Sequence, residues 1–283
     1  MTGLQAPRER LSRAKPAIRR LAPWAGPILI VGSVLLVLSS LAFGGRLTTQ
    51  HIDLLPQWLP DYCYLGRSLA AGHVPAWNPY TLSGAPFAAD PQSGWTYLPA
   101  TALFTAFSCD RALGYLVVLQ PILAGLGIYW FLRGERVSRV GSTAAGLVLA
   151  MVMANSYISL SMPFAGTLAW TALLLAAGGR LMRASTWPSR LGWLLAAAVA
   201  WGQLADSHMS NGLLMGTAAL LLYVGVRLGS AVRAHEWRGP AMSAGLLLLA
   251  LPLVNIAVFL PRLPYIHRSS LDLGYLAIQR ASE

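Results

Sequence analysis

Seven long apolar runs, separated by short polar stretches, dominate the chain. They cover approximately 22–44, 111–132, 140–160, 164–179, 188–206, 210–229 and 240–261. A helix needs about 20 largely apolar residues to cross the hydrocarbon of a bilayer. The pattern therefore predicts an all-α integral membrane protein with about seven transmembrane helices. The run at 164–179 is short, which predicts a helix that is tilted, broken or buried among its neighbours. The segment from about 45 to 110 has a different pattern. Leu55, Leu59, Tyr62, Leu65 and Leu69 recur at helical spacing, with Gln57, Asp61 and Ser68 on another face. That predicts an amphipathic helix suited to lie in the membrane interface, ordered from Pro60 and stopped at Gly72. A stretch rich in Pro and aromatic residues follows. Disordered chains are poor in aromatics, so this stretch is expected to be ordered. A second interfacial helix is expected around 98–107.

Composition supports the membrane reading. The 283 residues are 55% hydrophobic and 11% charged, with a mean hydropathy of +0.54. Soluble domains carry roughly 25% charged residues. The formal charge of +11 does not indicate nucleic-acid binding, because it is spread over short loops on alternate sides of the apolar runs. Of the 21 basic residues, those before the first run and after the second, fourth and sixth fall on one side. The other side holds Arg46, Arg67, Arg111, Arg262, Arg268 and Arg280, together with seven of the ten acids. The positive-inside rule then places the N-terminus in the cytoplasm and the 45–110 segment outside. Residues 1–21 read as a basic cytoplasmic segment leading to an uncleaved anchor, 22–262 as the membrane module and 263–283 as an extracytoplasmic continuation.

Trp24, Trp58, Trp170, Trp187 and Trp237 lie mostly near span ends, where Trp serves as an anchor. Packing is the stronger reading for Trp77 and Trp95, which sit inside the loop. Cys63 and Cys109 both fall in the outer segment, where either a disulfide or two packed thiols would fit. The external acids show no metal-ligand spacing, and no cofactor motif is present.

The outer segment resembles that of the YfhO-like membrane proteins, a family of the GT-C class of polyprenyl-phosphate-sugar-dependent glycosyltransferases. The likeness is carried by Asp53, Gln57 and Pro60, then by Gly72, Pro75, Trp77, Asn78, Pro79 and Tyr80. It continues through Gly84, Pro86, Pro91 and Gln92 to Tyr97-Leu98-Pro99, with a later match in PLVNIAVFLPRLPYIHRSS. Family members are usually much longer, so the chain resembles their N-terminal module. The resemblance implies transfer of a sugar from a lipid-linked donor to an extracytoplasmic cell-envelope glycan or lipid acceptor, in a bacterial cytoplasmic membrane.

Such a reaction needs a carboxylate base at the outer interface, cations for the departing phosphate and a loop that excludes water. Asp53 is the first candidate for the base, with Asp90 and His208 assisting. His208 stands in a Ser-His pair where the family often has Gly-His. Arg262, His267 and Arg268 are candidates for the donor phosphate, with Arg67 and Arg111 weaker. Trp77, Asn78, Gln92 and Tyr97 are candidate substrate-loop residues. Asp61 and Asp110 read as acids favouring helix N-termini. The competing classes are a transporter or lipid flippase, disfavoured because the spans are almost free of charge, and a non-catalytic scaffold.

Overall fold

A computed structural model describes residues 23–44, 53–81 and 83–268, with backbone alone at 157 and 159. The basic segment 1–21, Arg46 and the stretch beyond 268 therefore lie outside the described residues. The protein is mostly helical. Its main helices are α1 (Ala25–Val37), α2 (Ser39–Phe43), α3 (Leu59–Ala70), α4 (Leu98–Ala106), α5 (Cys109–Gly134), α6 (Arg139–Ala154), α7 (Met162–Leu181), α8 (Trp187–Ser207), α9 (Asn211–Arg233), α10 (Arg238–Val254), α11 (Ile256–Phe259) and α12 (Arg262–His267). A π-helical turn, Leu54–Trp58, leads into α3. Local chemistry sets several starts. Proline occupies the first turn of α3, α4, α7 and α8, where its missing N–H leaves no helical acceptor unserved. The Ser138 hydroxyl accepts the Gly141 N–H at 3.1 Å and caps α6.

Each apolar run is largely helical among the described residues. Among the described residues three helices, α5, α7 and α9, are long and apolar enough to cross a membrane, and α10 with Ile256–His267 makes a fourth if that bent pair is one span. The protein is thus an all-α membrane protein with three to four candidate spans. The first run is divided at Leu38. The third leaves the α-helix at Ala154. The short fourth run is an unbroken 20-residue helix, α7. Lateral burial explains its weak apolarity: 67% of its apolar stretch is enclosed, against 22% for α9.

The seventh run bends by 43° at Asn255. Pro252 weakens the helix there. The buried Asn255 amide donates to the Leu251 carbonyl at 2.8 Å and to Ala198 of α8 at 2.9 Å, so carbonyls near the break keep partners. Gly202 of α8 makes room, since a Cβ there would collide with Asn255 Oδ1.

Helix α7 is the centre of the bundle, packed against α5 and α8. Ala165, Ala169, Ala172, Ala176 and Ala177 form its buried face, and small residues allow backbones to approach closely. Gly125 and Gly146 do the same between α5 and α6. A Cβ on either would come within 2.8 or 2.6 Å of the other's carbonyl oxygen.

Helices α3 and α4 sit at one end of the bundle. They meet where Gly66 lies against the Phe104 backbone, with no space for a Cβ. A two-residue antiparallel pair, β1 (Trp77–Asn78) and β2 (Ala85–Pro86), folds the segment between them, with Trp77 opposite Pro86. Cys63 of α3 is bonded to Cys109 at the start of α5, with Cα atoms 5.4 Å apart. Forty-six residues separate the two in sequence, so the link restrains a long loop. Replacing both cysteines by Ala is expected to cost about 2–4 kcal/mol. Thermal unfolding in detergent, compared with and without reductant, checks this; a reductant-insensitive melting temperature would contradict it.

The opposite end is tied by a charged cluster. Glu135 accepts from Tyr223 at 2.6 Å and pairs with Arg183 and, at 3.7 Å, with Arg227.

Candidate functional site

A cleft of about 430 Å³ opens at the end of the bundle that carries α3 and α4. Asp90, Pro91 and Gln92 line it from the loop, Ser207 to Ser210 from the α8–α9 turn, and Ile266 from α12. Three sequence candidates, Asp90, Gln92 and His208, therefore share one cavity.

The loop wall is held by local hydrogen bonds. Asp90 Oδ1 accepts the Gln92 N–H at 2.8 Å, and the Asp90 carbonyl accepts from Ser93 Oγ at 3.0 Å. The Gln92 side chain receives a bond from Gln57 Nε2 at 2.9 Å. Gln57 stands one turn beyond Asp53, whose carbonyl accepts the Gln57 and Trp58 N–H groups at 3.1 Å. Asp53 is exposed at the start of that turn and is not among the cleft-lining residues.

Burial pushes the Asp90 carboxyl above the ordinary range. The Gln92 N–H and the nearby Arg262 charge oppose that shift. Asp61 of α3 is pushed from 3.8 to about 6, first by burial and then by the Asp90 charge, against a hydrogen bond from Asn78. That Asn78 bond measures 3.3 Å. Asp61 lies in the first turn of α3, where an acid favours the helix dipole. Its tertiary surroundings add burial and the charge of Asp90, which its helix position alone does not reveal.

The sign of the resulting pH dependence is fixed. Because folding raises the Asp61 pKa, the folded state holds more protons than the unfolded one between pH about 4 and about 6. The stability associated with its protonated form is present below pH about 4 and lost as pH rises to about 6. An Asp61→Asn variant is expected to flatten that part of the stability–pH curve, as measured by thermal melts from pH 4 to 7. An unchanged slope would contradict the assignment.

The helical wall is set by the start of α9. His208 Nδ1 accepts the Gly212 N–H at 3.0 Å at the start of α9. In the neutral ring the proton then resides on Nε2. Burial lowers the His208 pKa, which favours that neutral form. The Phe164 ring supports the imidazole with centroids 5.3 Å apart.

Behind the cleft lies a buried network that no sequence motif announces. Arg262 of α12 and Asp206 of α8 form an ion pair with both side chains fully enclosed. Thr96 Oγ1 donates to Asp206 Oδ1 at 2.6 Å and accepts from Arg262 Nη2 at 2.8 Å. Gln203 Nε2 donates to Asp206 Oδ2 at 3.2 Å and to the Thr96 carbonyl at 3.0 Å, while its Oε1 accepts the Leu98 N–H at 2.6 Å. The network joins α8, α12 and the approach to α4. Arg262, a phosphate candidate by sequence, thus has its charge engaged internally. His267 and Arg268 are exposed at the end of α12, next to the cleft residue Ile266.

The remaining loop candidates are structural in placement. Tyr97 is buried, with its hydroxyl accepting Trp170 Nε1 at 3.2 Å. Asn78 is buried, and its amide also donates to Thr81 Oγ1 at 2.8 Å. Trp77 is half exposed, its indole lying over Gly84, whose φ of +115° suits glycine. Among the described residues no group of three or more His, Cys, Asp or Glu side chains could hold a metal ion. No protein-family model, curated protein or solved structure matches the chain.

Proposed function

We propose that the chain is a glycosyltransferase that moves a sugar from a polyprenyl-phosphate-linked donor to a cell-envelope acceptor outside the bacterial cytoplasmic membrane. The observation that carries this reading is the cleft itself. It brings a carboxylate of raised pKa, Asp90, and a neutral imidazole, His208, to one end of an apolar bundle. In this reading all seven helical runs cross the membrane, with the N-terminus cytoplasmic and the cleft outside. The Cys63–Cys109 disulfide at the cleft end supports that orientation, because disulfides persist in oxidising compartments.

The chemistry follows from charge. An acceptor hydroxyl loses its proton to a carboxylate as its oxygen bonds to the anomeric carbon. The bond from that carbon to the phosphate oxygen breaks, and polyprenyl phosphate leaves with the electron pair. Asp90 suits the base, since a raised pKa brings a carboxylate closer to operating pH. Asp53, at the turn that positions Gln57 and Gln92, is the competing carboxylate. The His208 Nε2–H, with His267 and Arg268, would stabilise the departing phosphate.

The test is transfer by the purified chain in nanodiscs containing polyprenyl-phosphate-linked sugars, read as release of polyprenyl phosphate and gain of sugar by an envelope acceptor fraction. Donor binding without turnover would identify a non-catalytic module. Neither binding nor turnover with any such donor would overturn the reading.

A further inference from the structure

A second cavity of about 510 Å³ lies on the α3 side of the outer segment and shares no lining residue with the cleft. It is lined by Tyr64, Arg67, Ser68, His73 and Tyr80. We propose that this cavity binds a saccharide unit carrying an anionic group, a carboxylate or a phosphate.

The lining is chemically one-sided. It holds one guanidinium and one imidazole but no carboxylate. Arg67 is exposed, and among the described residues it belongs to none of the ion pairs. A planar guanidinium in this state is suited to a bidentate oxyanion. Tyr64, Arg67 and Ser68 follow one another at i, i+3 and i+4 of α3, which puts them on one helix face.

Aromatic rings complete the cavity. Tyr80 is 81% exposed, so its ring is accessible at the rim of the cavity. It stands edge-on to Tyr64, with centroids 5.9 Å apart. The ring faces of such a pair carry partial negative charge and attract the polarised C–H bonds of a pyranose. A cation beside these edge-on rings therefore matches a sugar that bears an anion better than it matches either part alone.

The cavity is preformed. The Tyr64 hydroxyl donates to the Trp77 carbonyl at 2.7 Å. The Tyr64 ring also meets Phe87 edge-on at 5.3 Å. The Tyr80 N–H donates to Asn78 Oδ1 at 3.0 Å, fixing the loop tip. The turn at Gly72, with φ of +81°, brings His73 back over α3, where its N–H donates to the Ser68 carbonyl at 3.1 Å. Such pre-organisation lowers the ordering cost of binding.

Binding is read without turnover, so this inference and the transferase reading can fail separately. The full chain in nanodiscs of zwitterionic lipid is titrated calorimetrically with glucuronate, glucose 1-phosphate, glucose and inorganic phosphate. Saturable binding of the two anionic sugars, tighter than either glucose or phosphate, is expected. Arg67→Gln and Tyr80→Ala should each weaken it by about tenfold, with unchanged melting temperatures. Because both side chains are exposed, these variants should fold. Arg67→Lys, retaining the charge without the fork, should give an intermediate loss. No saturable binding, equal affinity for phosphate alone, or variants that bind as the parent does would overturn the proposal. So would a response confined to vesicles of anionic phospholipid, which would mark the patch as a headgroup contact.

Discussion

Replacing Arg262 by Met is expected to destabilise the protein by about 3–5 kcal/mol, among the largest effects of any single substitution. The Arg262 and Asp206 side chains are both fully enclosed. Removing the cation leaves Asp206 buried with only Thr96 and Gln203 to satisfy it. It also frees α12 from α8 at the point where the bent helix returns to the bundle. Arg262→Lys should recover part of the loss. A lysine ammonium can pair with Asp206 but lacks the rigid fork that reaches Thr96 at the same time. An Arg262→Met, Asp206→Leu double variant should be more stable than Arg262→Met alone, because the uncompensated charge has gone. Denaturant or thermal unfolding in detergent measures all three. A single Met variant within about 0.5 kcal/mol of the parent, the range of ordinary surface changes, would show that the pair does not hold the fold.

Asp90→Asn is expected to lower transfer by about 100-fold or more, since general-base catalysis contributes typically 10²–10⁴-fold. The substitution keeps the side-chain shape and its acceptance of the Gln92 N–H through the amide oxygen. Expression and melting temperature should therefore remain near those of the parent. Asp53→Asn provides the contrast. Asp53 lies at the turn that leads to Gln57 and so to Gln92. If Asp53 is the base, its Asn variant abolishes transfer and Asp90→Asn does not. If Asp90 is the base, the order reverses. Full transfer by both variants would remove the carboxylate mechanism altogether. The rate–pH profile adds a second readout: the Asp90 variant should lose the acid limb, because that limb reports the base's protonation.

The helical membrane character was legible in the chain because run length and apolarity are local properties. Helix α3 was also largely legible, since Leu59, Tyr62, Leu65 and Leu69 mark one face regardless of what covers it, whereas the π turn Leu54–Trp58 precedes Pro60, where order was expected to begin. The reading of 164–179 as a marginal run was physically informative. Alanine and glycine lower its apolarity, and those same residues let α7 take the most enclosed position in the bundle.

The site was legible only in part. Asp90, Gln92 and His208 could be chosen by residue type and by nearness to an expected interface, and the fold brings them into one cleft. Asp61 lies in the first turn of α3, as its position predicts, but its raised pKa was not legible, because Asn78 and Asp90, which act on it, stand 17 and 29 positions farther along the chain. The bend at Asn255 depends on a carbonyl 57 residues away, and the Arg262 network joins residues 56 and 166 positions apart. Neither periodicity nor composition encodes such separations. Hydrophobic burial acts on every apolar residue and leaves its pattern along the chain. Ion pairing, desolvation and helix breaking depend on which few groups meet, and that was decided only when the chain folded.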